Sequence, residues 1–231
     1  MSLKIAVLGT GDSNVQETSI PDAIRDVASS DIEPVLLPVP GSVFPSTPAA
    51  REKAVQAYLA AGIAAEKAGY DAVYVNTVGD YGLEELRQSI KIPVAGSGSA
   101  AIRAATLISP KYSIVTLWPP AMKFIYEHVL GAADVERTPR KIHFMSEDND
   151  LATMGQDDNL ITGMQACQYV PMQTVKKVCH DALKDDGVDT IMLGCTCMAD
   201  MKPILEKDGL PVIEPMREGY KMAEELLRLS L

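Results

Sequence analysis

Several things are scarce in this chain, and each scarcity removes a class of function. Of 231 residues, 21 are basic against 31 acidic, leaving a formal charge of −10 with no Lys/Arg cluster to override it. A polyphosphate backbone would be repelled, so no nucleic-acid partner is expected. No apolar run approaches the roughly 20 residues of a membrane helix, so no membrane partner is expected either. The chain enters a strand-like run at Lys4 with no basic region, apolar helix and cleavage site before it. Export is therefore not expected, and a cytoplasmic location is. Cysteines number only four, at 167, 179, 195 and 197, too few at this size for a secreted disulfide framework. Cys179-His180 precedes Cys195-Thr196-Cys197, but the Cys-x-Cys gap is shorter than zinc sites use and no second His follows at finger spacing. No metal is expected. The thiols are expected to be reduced, with two or three of them simply packing.

What the chain does have is a repeat. Gly69-Tyr70-Asp71-Ala72-Val73-Tyr74-Val75-Asn76-Thr77 reappears as Gly187-Val188-Asp189-Thr190-Ile191-Met192-Leu193-Gly194-Cys195. Each copy reaches a Pro-Val pair after the same interval, at Pro93 and at Pro211, with no gap needed. Each reads as Gly-x-Asp, a short buried strand, a polar turn, a helix and another apolar run. Ends of equivalent strands in two related halves would face one another across a cleft, which places Thr77 and Cys195 on opposite sides of one bound molecule.

Short apolar runs alternate with helical patterns throughout. Strands are expected at Ile5 to Leu8, Pro34 to Val39, Ala72 to Val75, Pro93 to Ala95, Ser113 to Leu117, Thr190 to Leu193 and Pro211 to Ile213. Most are apolar on both faces, as parallel strands covered by helices on each side require. Helices are expected from Ala49 to Ala68, capped by Gly69, and over Leu83 to Ile90, Ala100 to Ile108, Pro119 to Leu130, Val170 to Asp186, Met198 to Lys207 and Glu218 to Leu229. The alternation predicts an α/β fold of two pseudo-symmetric lobes, each a parallel sheet flanked by helices, with the active site in the cleft between them. The break is placed at Gly96-Ser97-Gly98-Ser99. Residues 1–98 with a returning helix at 214–231 would form one lobe, and residues 99–213 the other. The acidic stretch from Ser146 to Asn159 reads as a solvated surface loop or as a lid over the cleft.

Two segments carry a resemblance. Asn76-Thr77-Val78-Gly79-Asp80-Tyr81-Gly82-Leu83, followed by Ile92-Pro93-Val94-Ala95-Gly96, resembles the first active-site segment of the hydantoin/allantoin racemases, where a Cys-Phe-Gly-Asp-Pro-Gly-Leu run leads to Pro-Val-x-Gly. Leu193-Gly194-Cys195-Thr196-Cys197-Met198 resembles their second segment, usually Leu-Gly-Cys-[Thr/Gly]-Gly-Met. The resemblance spans nearly the whole chain. It implies the aspartate/glutamate/hydantoin racemase superfamily: two similar α/β lobes, no cofactor, a cysteine from each lobe and a small carboxylate or hydantoin-type substrate. A homo-oligomer is expected. A second register also exists, because glutamate racemases carry Cys-Asn-Thr where this chain has Val75-Asn76-Thr77. Gly79-Asp80-x-Gly82-Leu83 and the equal spacing to the Pro-Val pairs favour Thr77 at the site.

The chemistry such a site needs is removal of a weakly acidic proton α to a carbonyl. A thiol titrates near 8.5, so it is basic enough as thiolate and acidic enough as thiol to take and return that proton. Cys195 is the expected acid/base and Thr77 its opposed partner. Backbone N–H groups of Val78, Gly79 and Thr196 are candidates to hold the developing enolate oxygens. Substrate contacts are also assigned to Gly9 and Thr10 in a Gly-Thr-Gly turn, to Asn76, and to Thr116 at the end of the matching strand. Gly9-Thr10-Gly11-Asp12 stands where hydantoin racemases tend to have Asn-Pro-Asn-Thr. No Arg lies in a motif, although Arg103 follows the Gly-Ser-Gly-Ser turn, so a double carboxylate has no evident bidentate clamp. A threonine hydroxyl cannot rest as an alkoxide, which leaves several readings open. They are a racemase of unequal efficiency in its two directions, an arylmalonate-decarboxylase-like enzyme with one thiol, a maleate-isomerase-like enzyme with a nucleophilic cysteine, and a non-catalytic two-lobed binding protein.

Overall fold

The computed structural model describes residues 2–9, 20–133, 136–154, 156–157 and 160–231. The first half runs β1 (Leu3–Leu8), α1 (Asp22–Arg25), β2 (Ile32–Leu37), α2 (Pro48–Lys67), β3 (Ala72–Val75), α3 (Leu83–Ser89) and β4 (Val94–Gly96). The chain continues through α4 (Ser97–Ile108), β5 (Tyr112–Thr116), α5 (Lys123–Ala132), β6 (Ile142–Phe144), α6 (Asp150–Met154), α7 (Leu160–Gln165) and α8 (Met172–Asp185). It ends with β7 (Thr190–Leu193), α9 (Lys202–Lys207), β8 (Val212–Ile213) and α10 (Pro215–Leu229). Short 3₁₀ turns at Pro120–Met122 and Thr196–Met201 precede α5 and α9. Among the described residues no helix is long and apolar enough to cross a membrane.

Two four-stranded parallel sheets result, ordered β2-β1-β3-β4 and β6-β5-β7-β8. The internal repeat holds down to single backbone bonds. Asp71 N–H donates to Lys4 and Asp189 N–H to Lys111; Val73 donates to Pro93 and Ile191 to Pro211; Asn76 donates to Leu8 and Gly194 to Val115, all between 2.8 and 3.1 Å. The shared Gly-x-Asp has a local cause. Gly69 and Gly187 adopt φ of +85° and +62°, which ends the preceding helix in the left-handed region that glycine tolerates best. The Asp71 carboxylate then accepts from Lys4 N–H at 2.7 Å, anchoring the start of β1.

Side-chain alternation explains the layers. Ile5, Val7, Ala72, Tyr74 and Ala95 face α1 and α10, while Ala6, Leu8, Val73, Val75 and Val94 face α2 and α3. A strand covered on both sides must be apolar on both sides, which is why no alternation with polar residues is seen. The second sheet is buried in a continuous core that includes Ile114, Met192, Val129 and Val175. Helix α10 returns to pack on α4, β3 and β4. At Gly219 a β-carbon would lie 2.8 Å from the Ser97 α-carbon, so only glycine permits that approach of α10 to α4.

Some boundaries differ from expectation. Helix α4 starts at Ser97, not Ala100, because Asp80 caps its first turn from a distance (below). Strand β6 was not expected; three half-buried edge residues leave too little pattern to read. Gly155, Asp158 and Asn159 lie outside the described residues, and the described part of the acidic stretch is not simply a solvated loop. Ser146 Oγ donates to Leu117 at 2.6 Å, Asp148 accepts from Ala121 N–H at 2.7 Å, and Met154 is buried in the second core.

The Leu86 side chain fills space that a β-carbon at Gly62 would need, locking α3 to α2. Leu86 is fully buried, so Leu86→Ala should lower the unfolding free energy by about 2–5 kcal/mol. Urea unfolding followed by circular dichroism checks this, and a loss below about 1 kcal/mol would mean that the layer collapses onto the gap or is loosely packed.

Candidate active site

Both strand ends are built alike and finished differently. After β3, Asn76 Oδ1 accepts from the Tyr74 hydroxyl at 2.9 Å, and Thr77 C=O accepts from Asp80 N–H at 3.2 Å, closing a tight turn. Asp80 sits at φ +45° and reaches across to the other half. Its two carboxylate oxygens accept from Gly98 and Ser99 N–H, each at 2.8 Å, and so cap α4. Burial pushes the Asp80 carboxyl up to about 6 despite those donors. Thr77 Oγ1 is shielded from solvent and has no hydrogen-bond partner among the described residues. Val78, the next residue, belongs to the same buried cluster as Cys195 and Val129.

After β7, Gly194 has no room for a side chain, because the Thr116 β-carbon would lie 2.5 Å from its own. The Tyr126 hydroxyl donates to Gly194 C=O at 2.7 Å and lies 2.6 Å from Thr116 Oγ1. Cys195 is extended at φ −147°, ψ 141° and opens the 3₁₀ turn. Its Sγ accepts from Cys197 N–H at 3.2 Å. Cys195 and Cys197 are joined in a disulfide, which corrects the expectation of wholly reduced thiols. The physical reason is the turn itself: with Cα atoms 5.1 Å apart, within the roughly 4.4–6.8 Å that disulfides span, both sulfurs meet on one side of it.

The assigned contacts divide. Val78, Gly79 and Thr196 N–H groups donate no hydrogen bond among the described residues. Thr116 is 0 % exposed, its hydroxyl held by Tyr126 and by Trp118 N–H at 3.3 Å. Asn76 is likewise buried with its Oδ1 occupied. Gly9 has φ +76°, and the Tyr58 ring and hydroxyl fill its β-carbon position, so it is a forced glycine at a strand end. Thr10 lies outside the described residues. Arg103 is exposed on α4.

Sequence reasoning missed four contributors. Tyr126 holds the Gly194 peptide. Phe44, from the β2–α2 connection, reaches Trp118 of the other half at 5.5 Å between ring centres. Arg51 lies 6.0 Å from the centre of the Tyr81 ring, with its Nε shielded and unpartnered among the described residues. Asp80 was read only as part of a motif. None could be found from local pattern, because each contact joins residues far apart in the chain. Two surface concavities, one bordered by Thr153 and Tyr169 and one by Arg25 and Pro34, touch neither Thr77 nor Cys195. Among the described residues no three His, Cys, Asp or Glu side chains gather as a metal site.

Paired parallel sheets with matched strand-end turns, one ending in Thr and one in Cys, define a two-lobed α/β class. The chain belongs to the Asp/Glu/Hydantoin racemase family, whose pattern matches residues 5–223. It is 30% identical to a hydantoin racemase of Rhizobium meliloti over 163 residues, 70% of this chain and 62% of that protein. It is 26% identical to a hydantoin racemase of Paenarthrobacter aurescens over 161 residues, 69% of this chain and 63% of that protein. The matches thus span less than two thirds of the length of these relatives. The allantoin racemase structure from Klebsiella pneumoniae superposes with a TM-score of 0.78 at 26% identity, covering 100% of this chain and 89% of that one.

Asp80 generates a pH prediction. A carboxyl whose folded value is raised holds its proton more tightly in the folded state, so its contribution to stability is present below about 4 and lost as pH rises through about 6. Asp80→Asn cannot ionise. The stability gap between wild type and Asp80→Asn should therefore narrow between pH 4 and pH 7, read by urea unfolding at both values. A gap that widens would show that the two N–H donors outweigh desolvation.

Proposed function

We propose that this chain is a cofactor-independent racemase acting at a carbon α to a carbonyl of a small hydantoin-type or amino-acid-like substrate, with Cys195 as acid/base. The observation that carries this reading is the repeat at backbone level. Thr77 and Cys195 each follow the residue whose N–H makes the last ladder bond of its sheet, Asn76 to Leu8 and Gly194 to Val115. In the reduced form the Cys195 thiolate removes the α-proton. The N–H groups of Val78, Gly79 and Thr196 lower the energy of the enolate oxygen that forms. Thr77 faces the same substrate from the other lobe. Its unpartnered hydroxyl orients the substrate or relays a proton through water, and it cannot hold the basic form itself. Exchange should therefore run faster on the Cys195 face than inversion runs overall. The names of the matched relatives support a hydantoin-type ring.

The test is incubation of hydantoins, amino acids and arylmalonates with dithiol-reduced protein in D₂O, following α-deuterium uptake, optical rotation and carbon dioxide. Hydantoin exchange with slower inversion is expected. Stoichiometric carbon dioxide from a malonate would replace the reading with single-thiol decarboxylation. Cys195→Ala should cut exchange by about a hundredfold or more, the usual worth of a positioned acid/base; full turnover in that variant would end the proposal. Thr77→Cys should raise the rate of inversion relative to exchange. No change in that ratio would remove Thr77 from the site.

A further inference from the structure

Cys197 has no part in the proton chemistry, yet it is covalently placed on the sulfur that does. It stands where the resembled segment ordinarily carries glycine. The chain's other thiols are excluded from this role: Cys179 is fully buried and pushed up to about 12, and Cys167 lies on a separate turn at φ +57°, unpaired with any cysteine. Cys195 is different in three ways. It is slightly open, at 6 % exposure; its Sγ receives the Cys197 N–H; and its partner sulfur is within bonding reach. Beyond Cys197 Sγ lies Met164 Sδ at 3.9 Å, so the turn is backed by a third sulfur and not by a charged group.

We propose that Cys195 and Cys197 form a hydroperoxide-sensitive modification site in which the acid/base thiol is reversibly capped by its second neighbour. The effect on turnover rests on the acid/base reading of Cys195; the bond itself does not. In the first step the Cys195 thiolate attacks one oxygen of hydrogen peroxide. The O–O bond breaks, and the departing hydroxide takes a proton to become water, leaving Cys195 as sulfenic acid. In the second step the Cys197 sulfur attacks the Cys195 sulfur and displaces the hydroxyl, which leaves as water with the Cys197 proton. Two thiols are oxidised by two electrons and one peroxide is reduced to two waters. A dithiol reverses the bond by exchange. The nearby resolving thiol intercepts sulfenic acid before further oxygen adds, which would be irreversible.

The experiment uses the full chain, reduced with dithiothreitol and desalted, then titrated with hydrogen peroxide. Intact mass, free-thiol count and peptide mapping are read alongside α-deuterium exchange. Wild type should lose two hydrogens, with thiols falling from four to two and the loss mapped to the 195–197 peptide. Exchange should fall by about a hundredfold and return fully with dithiothreitol. In Cys197→Ser, excess peroxide should instead carry Cys195 on to the sulfinic acid, a gain of two oxygens from two peroxides, and dithiothreitol should not restore activity. Because Cys197 is buried, a thermal melt of the variant checks folding, and the wild-type mass readout stands without it. Oxygen addition at Cys195 with Cys197 left as a free thiol in wild type would overturn the proposal. The disulfide forming in protein whose reduced form exchanges no substrate would support the modification and remove only the racemase reading. Active reduced enzyme that never forms the bond would remove the modification alone.

Discussion

Where β3 and β7 leave their sheets decides everything else in this molecule. A parallel strand buried on both faces must satisfy every N–H and C=O through its neighbours. Asn76 and Gly194 make the last such bonds, to Leu8 and Val115. One residue further on, the backbone is free of the ladder but still enclosed. The N–H groups of Val78, Gly79 and Thr196 just beyond have no partner among the described residues, and on the proposed reading a substrate oxygen supplies one. The repeat thus generates two donor-lined turns from one structural cause. A slip of one residue in either register would turn Thr77 or Cys195 to the opposite side of its sheet.

The two turns stay in fixed relation because the halves share helices. α4 follows the first sheet and α10 the second, and they pack on each other close to the Tyr74 hydroxyl. That hydroxyl lies within 2.9 Å of Asn76 Oδ1, Ser97 Oγ and the Met216 carbonyl, tying β3, α4 and α10 at one point. A buried phenol would be costly without such partners. Glu214 caps α10 by accepting from Met216 and Arg217 N–H, and burial raises it to about 7. Asp80 does the same for α4. Two buried carboxyls thus hold the starts of the two interface helices, one supplied by the residue ahead of its own helix and one by a turn across the sheet.

Periodicity and the repeat made the two parallel sheets legible, and with them the strand ends that Thr77 and Cys195 follow. Ala72 to Val75 and Thr190 to Leu193 needed no adjustment at either end. Other features were illegible for physical reasons. β6 is a three-residue edge strand, too short to show a period. The start of α4 depends on the Asp80 carboxylate, eighteen residues upstream of Gly98, so no local capping signal exists at Gly96. The partner of Thr116 was equally hidden, because Tyr126 reaches its hydroxyl from the following helix. Side-chain direction within a 3₁₀ turn is not encoded in spacing alone, and so the meeting of Cys195 and Cys197 was missed.

The placement of the thiols is an argument in itself. A two-base racemisation needs one acid/base on each face of the reacting carbon, and a thiol near 8.5 suits both roles. On the proposed reading, this chain offers the Thr77 hydroxyl to the first face and Cys195, with Cys197 beside it, to the second. Two sulfurs on one turn cannot return a proton to opposite faces of a substrate, so Cys197 adds nothing to stereochemical inversion. Its backbone N–H aids Cys195 by hydrogen bonding to the sulfur, a service any residue at that position would supply. What only a cysteine can do there is form or break a bond to Cys195. The chemistry specific to residue 197 is therefore sulfur on sulfur, and it acts on the atom that the proposed proton transfer needs free.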